Sequence, residues 1–316
     1  MIYNTFELHQ EGSLPGAHLV TYIQEYSEAM AINDRPLILL CPGGGYTRTS
    51  DREAEPMALK FLAMGYHAAV LRYSCAPAEY PTSLKELAYS IKFLREHAKE
   101  WHIDPHKIVV EGCSAGGHLA ASLGVFWDED FLAESQGLSA SEHELLRPDG
   151  LLLCYPVITS GEFAHRGSFE NLLGSRQEEL GEKLSLEKQV TNKVPKTFIW
   201  HTFADQSVPV ENSLLFVSAL RRAGVPTEFH MYEKGAHGLA LADRDQRWQS
   251  RTGGMHIMDP AGAYLAGEPF CRRRGRRTAR TGQRMVRIAI RENENARSSH
   301  GTGRYDHSNP SFLRKS

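Results

Sequence analysis

The sequence predicts an α/β domain, a mostly parallel central sheet with helices on both faces. Two observations carry this reading. Short apolar runs alternate with amphipathic helical stretches from about residue 18 to residue 232. Several of the runs, such as Leu37-Ile-Leu-Leu40 and Leu151-Leu-Leu-Cys154, are apolar at every position. A strand apolar on both sides is buried on both sides, as parallel strands are when helices lie above and below them. Strand-helix alternation points the same way, because each helix can serve as the crossover between parallel neighbours. At 316 residues and 41% hydrophobic content, the chain is long enough to bury one large core.

In chain order the strands read as His18–Tyr26, Leu37–Cys41, Ala68–Ser74, Lys107–Glu111, Gly150–Tyr155, Thr197–Thr202 and Thr227–Tyr232. After the second strand, Ala54, Met57, Ala58, Phe61 and Leu62 form a helical stripe closed by Gly65. The next stripe is Leu84, Leu87, Ala88, Ile91, Leu94, Ala98 and Trp101, with Ser83 and Glu86 at capping-box spacing. A helical pattern begins again at His118. The last helix runs from about Glu211 to Ala223, with Arg221 and Arg222 in its final turn and Gly224 beyond it. The polar stretch Thr159–Lys196 is too long for a simple connection and reads as a cap-like insertion over the strand ends, where substrate would bind.

The net charge of −2 hides an asymmetry. Residues 252–316 carry 13 Lys and Arg against 5 Asp and Glu, which leaves the rest of the chain at −10. An acidic body does not attract nucleic acid or anionic membrane, so neither is expected as a partner. The arginine-rich tail, with Arg272-Arg-Arg-Gly-Arg-Arg277, reads as a poorly ordered extension or a frameshifted end rather than a packed element. Residues 1–251 then form the expected catalytic domain. The five cysteines have no C-x-x-C spacing, and four of them lie in or beside apolar runs, as reduced thiols of a cytoplasmic protein would. Residues 1–12 lack the basic and apolar regions of a secretory signal. No apolar run approaches the roughly eighteen residues of a membrane span.

The chemistry concentrates at Ser114, in Gly112-Cys113-Ser114-Ala115-Gly116-Gly117. Strand-like residues precede this G-x-S-x-G and a helical pattern follows, the context in which a sharp turn lifts a serine hydroxyl off a sheet. The first amides of the helix, and its dipole, would favour negative charge beside that hydroxyl. Upstream, Cys41-Pro-Gly-Gly-Gly-Tyr46 ends a strand in three glycines. Neither G-x-x-x-x-G-K-[ST] nor G-x-G-x-x-G is present there, so the run reads as an oxyanion loop rather than a nucleotide loop. Amides of Gly44 and Gly45, with that of Ala115, are the expected donors. Asp205 lies just past the Thr197–Thr202 strand, and His237 sits between Gly235 and Gly238 after the last strand. The order Ser, Asp, His suits a nucleophile, an orienting acid and a base. Asp243 and Asp245 are alternative acids. His102, Asp104 and His106 could suggest a metal, but a helix exit before Pro105 explains them more simply. His97 reads as a solvated helix residue, and His201 has no evident role.

On these motifs the chain resembles the esterase/lipase branch of the α/β-hydrolase superfamily, near intracellular acetyl esterases and acetyl-xylan-esterase-like enzymes. Pro42-Gly-Gly-Gly-Tyr46, Arg72-Tyr-Ser-Cys-Ala-Pro77, Gly112 to Leu119, Tyr155-Pro156, Asp205-Gln-Ser-Val-Pro209 and Gly235-Ala-His-Gly238 carry the resemblance, over roughly residues 15–245. It implies the α/β-hydrolase fold, with Ser114 as nucleophile, Asp205 as acid and His237 as base. It implies no metal or cofactor. The expected activity is removal of short acyl groups, acetyl foremost, from a small-molecule ester such as an acetylated oligosaccharide. Two other readings remain open at this point: a serine peptidase of the prolyl-oligopeptidase type, and a non-catalytic protein on the same fold. The oligomeric state is not legible.

Overall fold

The computed structural model describes residues 1–30 and 34–241. The tail 252–316, and with it Cys271, lies outside the described residues, as do Asp243 and Asp245. Eight strands form one sheet: β1 (Ile2–Glu7), β2 (His18–Ile23), β3 (Arg35–Cys41), β4 (His67–Arg72), β5 (Ile103–Cys113), β6 (Gly150–Cys154), β7 (Thr197–Thr202) and β8 (Thr227–Tyr232). Their order across the sheet is β1-β2-β4-β3-β5-β6-β7-β8. β1 and β2 pair antiparallel, as do β2 and β4, and the pairs from β4 across to β8 are parallel. β1 is a strand that periodicity misses, because most of its residues are exposed at the edge and carry no apolar signature.

Two layers of helix cover the sheet. Leu37, Leu39, Leu153 and Ile199 face one core, into which α2 (Thr82–Glu96), α3 (Ala115–Phe126), α4 (Asp130–Ser135) and α7 (Glu211–Ala223) pack. Ile38, Leu40, Val109 and Leu152 face the other, against α1 (Glu55–Ala63). Leu37 to Leu40 are fully buried on alternating sides, each contributing roughly 1.5–3 kcal/mol, which holds β3 at the centre of the sheet. Among the described residues, no helix is long and apolar enough to cross a membrane.

The second helix departs from its expected caps. It starts at Thr82 after Pro81 and ends at Glu96, so Ser83 is inside it and Ala98 and Trp101 lie beyond it. Glu86 is no capping residue. Its carboxylate is buried and accepts hydrogen bonds from the Ser74 amide and from the hydroxyls of Ser74 and Ser13. Between residues 159 and 196 the chain forms α5 (Arg166–Leu173) and α6 (Gln177–Leu180) with short 3-10 turns. This stretch buries Phe169, Leu172, Leu173, Leu184 and Leu186 against the body.

Candidate active site

The loops that follow β3, β5, β6, β7 and β8 leave the same edge of the sheet, since those strands run parallel. Ligands bind outside the carboxyl ends of strands in such sheets. Ser114 occupies the single residue between β5 and α3, at φ 55°, ψ −119°. A serine at positive φ costs on the order of 1–3 kcal/mol and persists only where its surroundings impose it. They do so here through three backbone hydrogen bonds. The Ser114 amide donates to the Cys154 carbonyl, and the Ser114 carbonyl accepts from Val157 and His118. The turn also requires its glycines. A Cβ on Gly112 would sit 2.2 Å from the Gly116 carbonyl oxygen, and one on Gly116 would sit 1.9 Å from that of Cys41.

Ser114 Oγ lies 2.7 Å from His237 Nε2, and His237 Nδ1 lies 2.7 Å from Asp205 Oδ2. Three residues separated by up to 123 positions are thus linked in one chain of hydrogen bonds. Asp205 is fixed from two sides. Its Oδ1 accepts from the Ser207 and Val208 amides, and its Oδ2 lies 3.2 Å from His201 Nε2. Burial alone would push the Asp205 carboxyl up. The hydrogen bonds from His201 and His237, the nearby His237 charge and the Val208 amide outweigh it and hold the group well below the ordinary carboxylate range. Asp205 is therefore ionised near neutral pH and oriented by these partners.

His201, given no role by its sequence context, is fully buried with its Nδ1 2.8 Å from Ser213 Oγ. Its Nε2 also meets the Val208 carbonyl at 3.0 Å. A carbonyl only accepts, so Nε2 carries the proton and Nδ1 accepts from Ser213. The spacing of four residues between His201 and Asp205 was the available signal.

The glycine loop is held by side chains to which no sequence motif assigns a role. Gly43 donates its amide to Glu53 Oε2 at 2.8 Å, within a buried site. Glu53 Oε1 accepts from the Tyr155 hydroxyl at 2.8 Å, and that hydroxyl accepts from the Ala240 amide at 3.0 Å. One carboxylate therefore ties the glycine loop to the segment carrying His237. The Tyr155 ring meets the His237 ring edge to face at 5.1 Å. Tyr73 donates to the Pro42 carbonyl, and the Tyr46 hydroxyl contacts His118 Nδ1 at 3.0 Å. The amides of Gly44, Gly45 and Ala115 donate to no acceptor among the described residues. That of Ala115 opens α3 directly after Ser114 and is left free as first-turn helix amides generally are.

Among the described residues, one group has metal-ligand chemistry: Glu111, Cys113 and Cys154. Both thiols donate to Glu111 Oε1, at 3.1 and 3.2 Å. Burial pushes Glu111 up to about 8 and raises both thiols too, so the group is protonated near neutral pH. Metal ligands must shed their protons, and this cluster reads as a hydrogen-bonded part of the core. His102 and His106 are not gathered into such a group. His102 stacks on Tyr26, and the His106 amide donates to Asp104.

Residues 23–220 match the BD-FAE family model. The chain is 38% identical over 233 residues to endo-1,4-beta-xylanase B of Butyrivibrio fibrisolvens, covering 71% of this chain and 35% of that protein. It is 27% identical over 244 residues to an acetylxylan esterase of Xylanibacter ruminicola, covering 75% and 46%. The chain thus spans about a third to a half of the length of these curated relatives. Among solved structures, an acetyl ester-xyloside bifunctional hydrolase from Caldicellulosiruptor lactoaceticus superposes with a TM-score of 0.64 at 41% identity, over 74% of this chain and 83% of that one.

Proposed function

The chain belongs to the BD-FAE family and has the α/β-hydrolase fold, and from that premise we propose that it is a serine carboxylic-ester hydrolase removing short acyl groups, acetyl foremost, from a sugar or similar alcohol. One observation carries the reading: Ser114 Oγ, His237 and Asp205 form a continuous hydrogen-bonded chain at the carboxyl edge of the sheet. Ser114 Oγ attacks the ester carbonyl carbon while its proton passes to His237 Nε2. The carbonyl oxygen, now an oxyanion, takes hydrogen bonds from Gly44, Gly45 and Ala115. Collapse expels the alcohol, whose oxygen takes the proton from His237, and leaves the acyl group on Ser114. Water then gives a proton to His237 and attacks the acyl carbon. The carboxylic acid departs as the proton returns to Ser114 Oγ. Asp205 remains ionised throughout, holding the imidazole and offsetting its transient charge.

The acetylated-sugar substrate is supported by what two relatives are called, an acetylxylan esterase and an acetyl ester-xyloside hydrolase. The catalytic domain of residues 1–251 and the cap formed by 159–196 belong to the same proposal. A panel of p-nitrophenyl esters from acetate to octanoate, beside an aminoacyl-proline amide, tests the activity. Acetate should give the highest kcat/KM and the amide should not be cleaved. Octanoate ahead of acetate by tenfold would overturn the short-acyl assignment. Ser114→Ala should lower kcat by on the order of 10⁶, as removal of a serine nucleophile does. Retention of more than a tenth of the turnover would remove Ser114 from its role.

A further inference from the structure

We propose that His165 recognises the alcohol half of the ester, donating an Nε2–H hydrogen bond to a second oxygen on that alcohol; this rests on the ester-hydrolase reading above. His165 stands at the start of α5, where its Nδ1 accepts the Ser168 amide at 3.3 Å and lies 2.8 Å from Ser168 Oγ. A backbone N–H can only donate, so Nδ1 is bare and the neutral ring carries its proton on Nε2. Burial lowers the basicity of this imidazole and the nearby His237 lowers it further, so the ring is neutral at pH 7. Nε2 has no hydrogen-bond partner among the described residues.

The position of the ring says what that donor can meet. Its Cε1 lies 4.0 Å from where a side chain on Gly45 would begin, with Ser168 Oγ at 3.9 Å. Asn171 Nδ2 donates to the Gly45 carbonyl at 2.9 Å, which fastens α5 to the glycine loop. The leaving oxygen must meet the proton on His237 Nε2, so the alcohol lies on the His237 side of Ser114. The ring borders the glycine loop at Gly45, and from there its donor faces an alcohol held between Ser114 and His237. A lone N–H there matches an alcohol carrying a further hydroxyl or ring oxygen, as a sugar does and nitrophenol does not at the ester carbon's neighbours.

The test compares mono-O-acetylated methyl β-xyloside with p-nitrophenyl acetate, using the full chain and two variants. In His165→Asn the side-chain oxygen can still cap α5 while the ring donor is gone. His165→Phe keeps the ring's volume and lacks both nitrogens. The ratio of kcat/KM for the sugar acetate over the nitrophenyl ester should fall about tenfold in both, the worth of one hydrogen bond. An unchanged ratio in either variant that folds, judged by an unaltered circular dichroism spectrum, overturns the assignment. If the wild-type chain cleaves the nitrophenyl ester and shows no preference that depends on His165, only this inference fails. If it cleaves neither ester, the hydrolase reading fails and takes this inference with it.

Discussion

Asp205 shows how one side chain's function is assembled from several others. Its two oxygens take two backbone amides, His237 and His201, and the last of these is itself fixed by Ser213 and Val208. His201 touches no reacting atom; it positions the carboxylate that positions the base. His201→Gln should therefore lower kcat about tenfold while leaving KM within about twofold, since an orienting contact acts in the transition state. Asp205→Asn should cost several orders of magnitude in kcat, through the wrong imidazole tautomer. Steady-state kinetics on p-nitrophenyl acetate distinguishes them. A His201→Gln enzyme with wild-type kcat would mean that the Ser207 and Val208 amides hold Asp205 unaided. Ser114, Asp205 and His237 were each legible as candidates because each follows a strand in the right order. His201 was not, because its chemistry depends on which carbonyl and which hydroxyl surround it.

The strand-turn-helix unit around Ser114 is limited by space. Gly116, in the first turn of α3, faces the end of β3, and any Cβ there would press on the Cys41 carbonyl at 1.9 Å. A backbone carbonyl cannot swing aside as a side chain can, so Gly116→Ala must push α3 and β3 apart. Overpacking of this kind costs typically 1–3 kcal/mol. For a domain of this size, about 2–4 °C of Tm is lost per kcal/mol, so a fall of several degrees is expected by calorimetry. An unchanged Tm would show that the turn relaxes without cost. The apolar runs that predicted β3 and β5 are strong signals because those residues are buried on both faces of the sheet. The capping box expected at Ser83 failed for the opposite reason. Its Glu86 was drawn to Ser74 and Ser13 across the fold, contacts that a three-residue spacing cannot encode.

Stability as a function of pH integrates groups scattered through both cores. Glu111 ionises near 4.5 in an unfolded chain, but burial keeps its proton up to about 8 in the fold. Its contribution is therefore full below about 4.5 and is lost as pH rises to about 8. His67 and His118 have the opposite sense. Burial first of all lowers each to about 4, so their contribution is full above about 6.5 and is lost as pH falls toward 4. Of these three groups, only Glu111 acts between pH 6.5 and 8, where Tm should decline with rising pH. Glu111→Gln, which cannot ionise, should flatten that decline in a thermal melt series from pH 6.5 to 8. The same slope in wild type and variant would show that Glu111 is already ionised in the fold, or that other groups govern the range.

Fold class, the parallel strands and the three residues proposed for catalysis could be read from residue order alone. Alternation of strand and helix, and a small-residue turn at a serine, are local properties that composition and spacing express. The edge strand β1 was not legible, because an exposed strand has no apolar period. Nor was the carboxylate of Glu53, which joins the Gly43 amide to Tyr155 and through it to Ala240. The residues at the two ends of that link are separated by nearly two hundred positions of chain, and only folding brings them within hydrogen-bonding reach. The same holds for His165, whose free nitrogen gains meaning from the glycine loop beside it. Spacing names residue types that can do chemistry; packing decides which partners each of them meets, because a hydrogen bond exists only over about three ångströms.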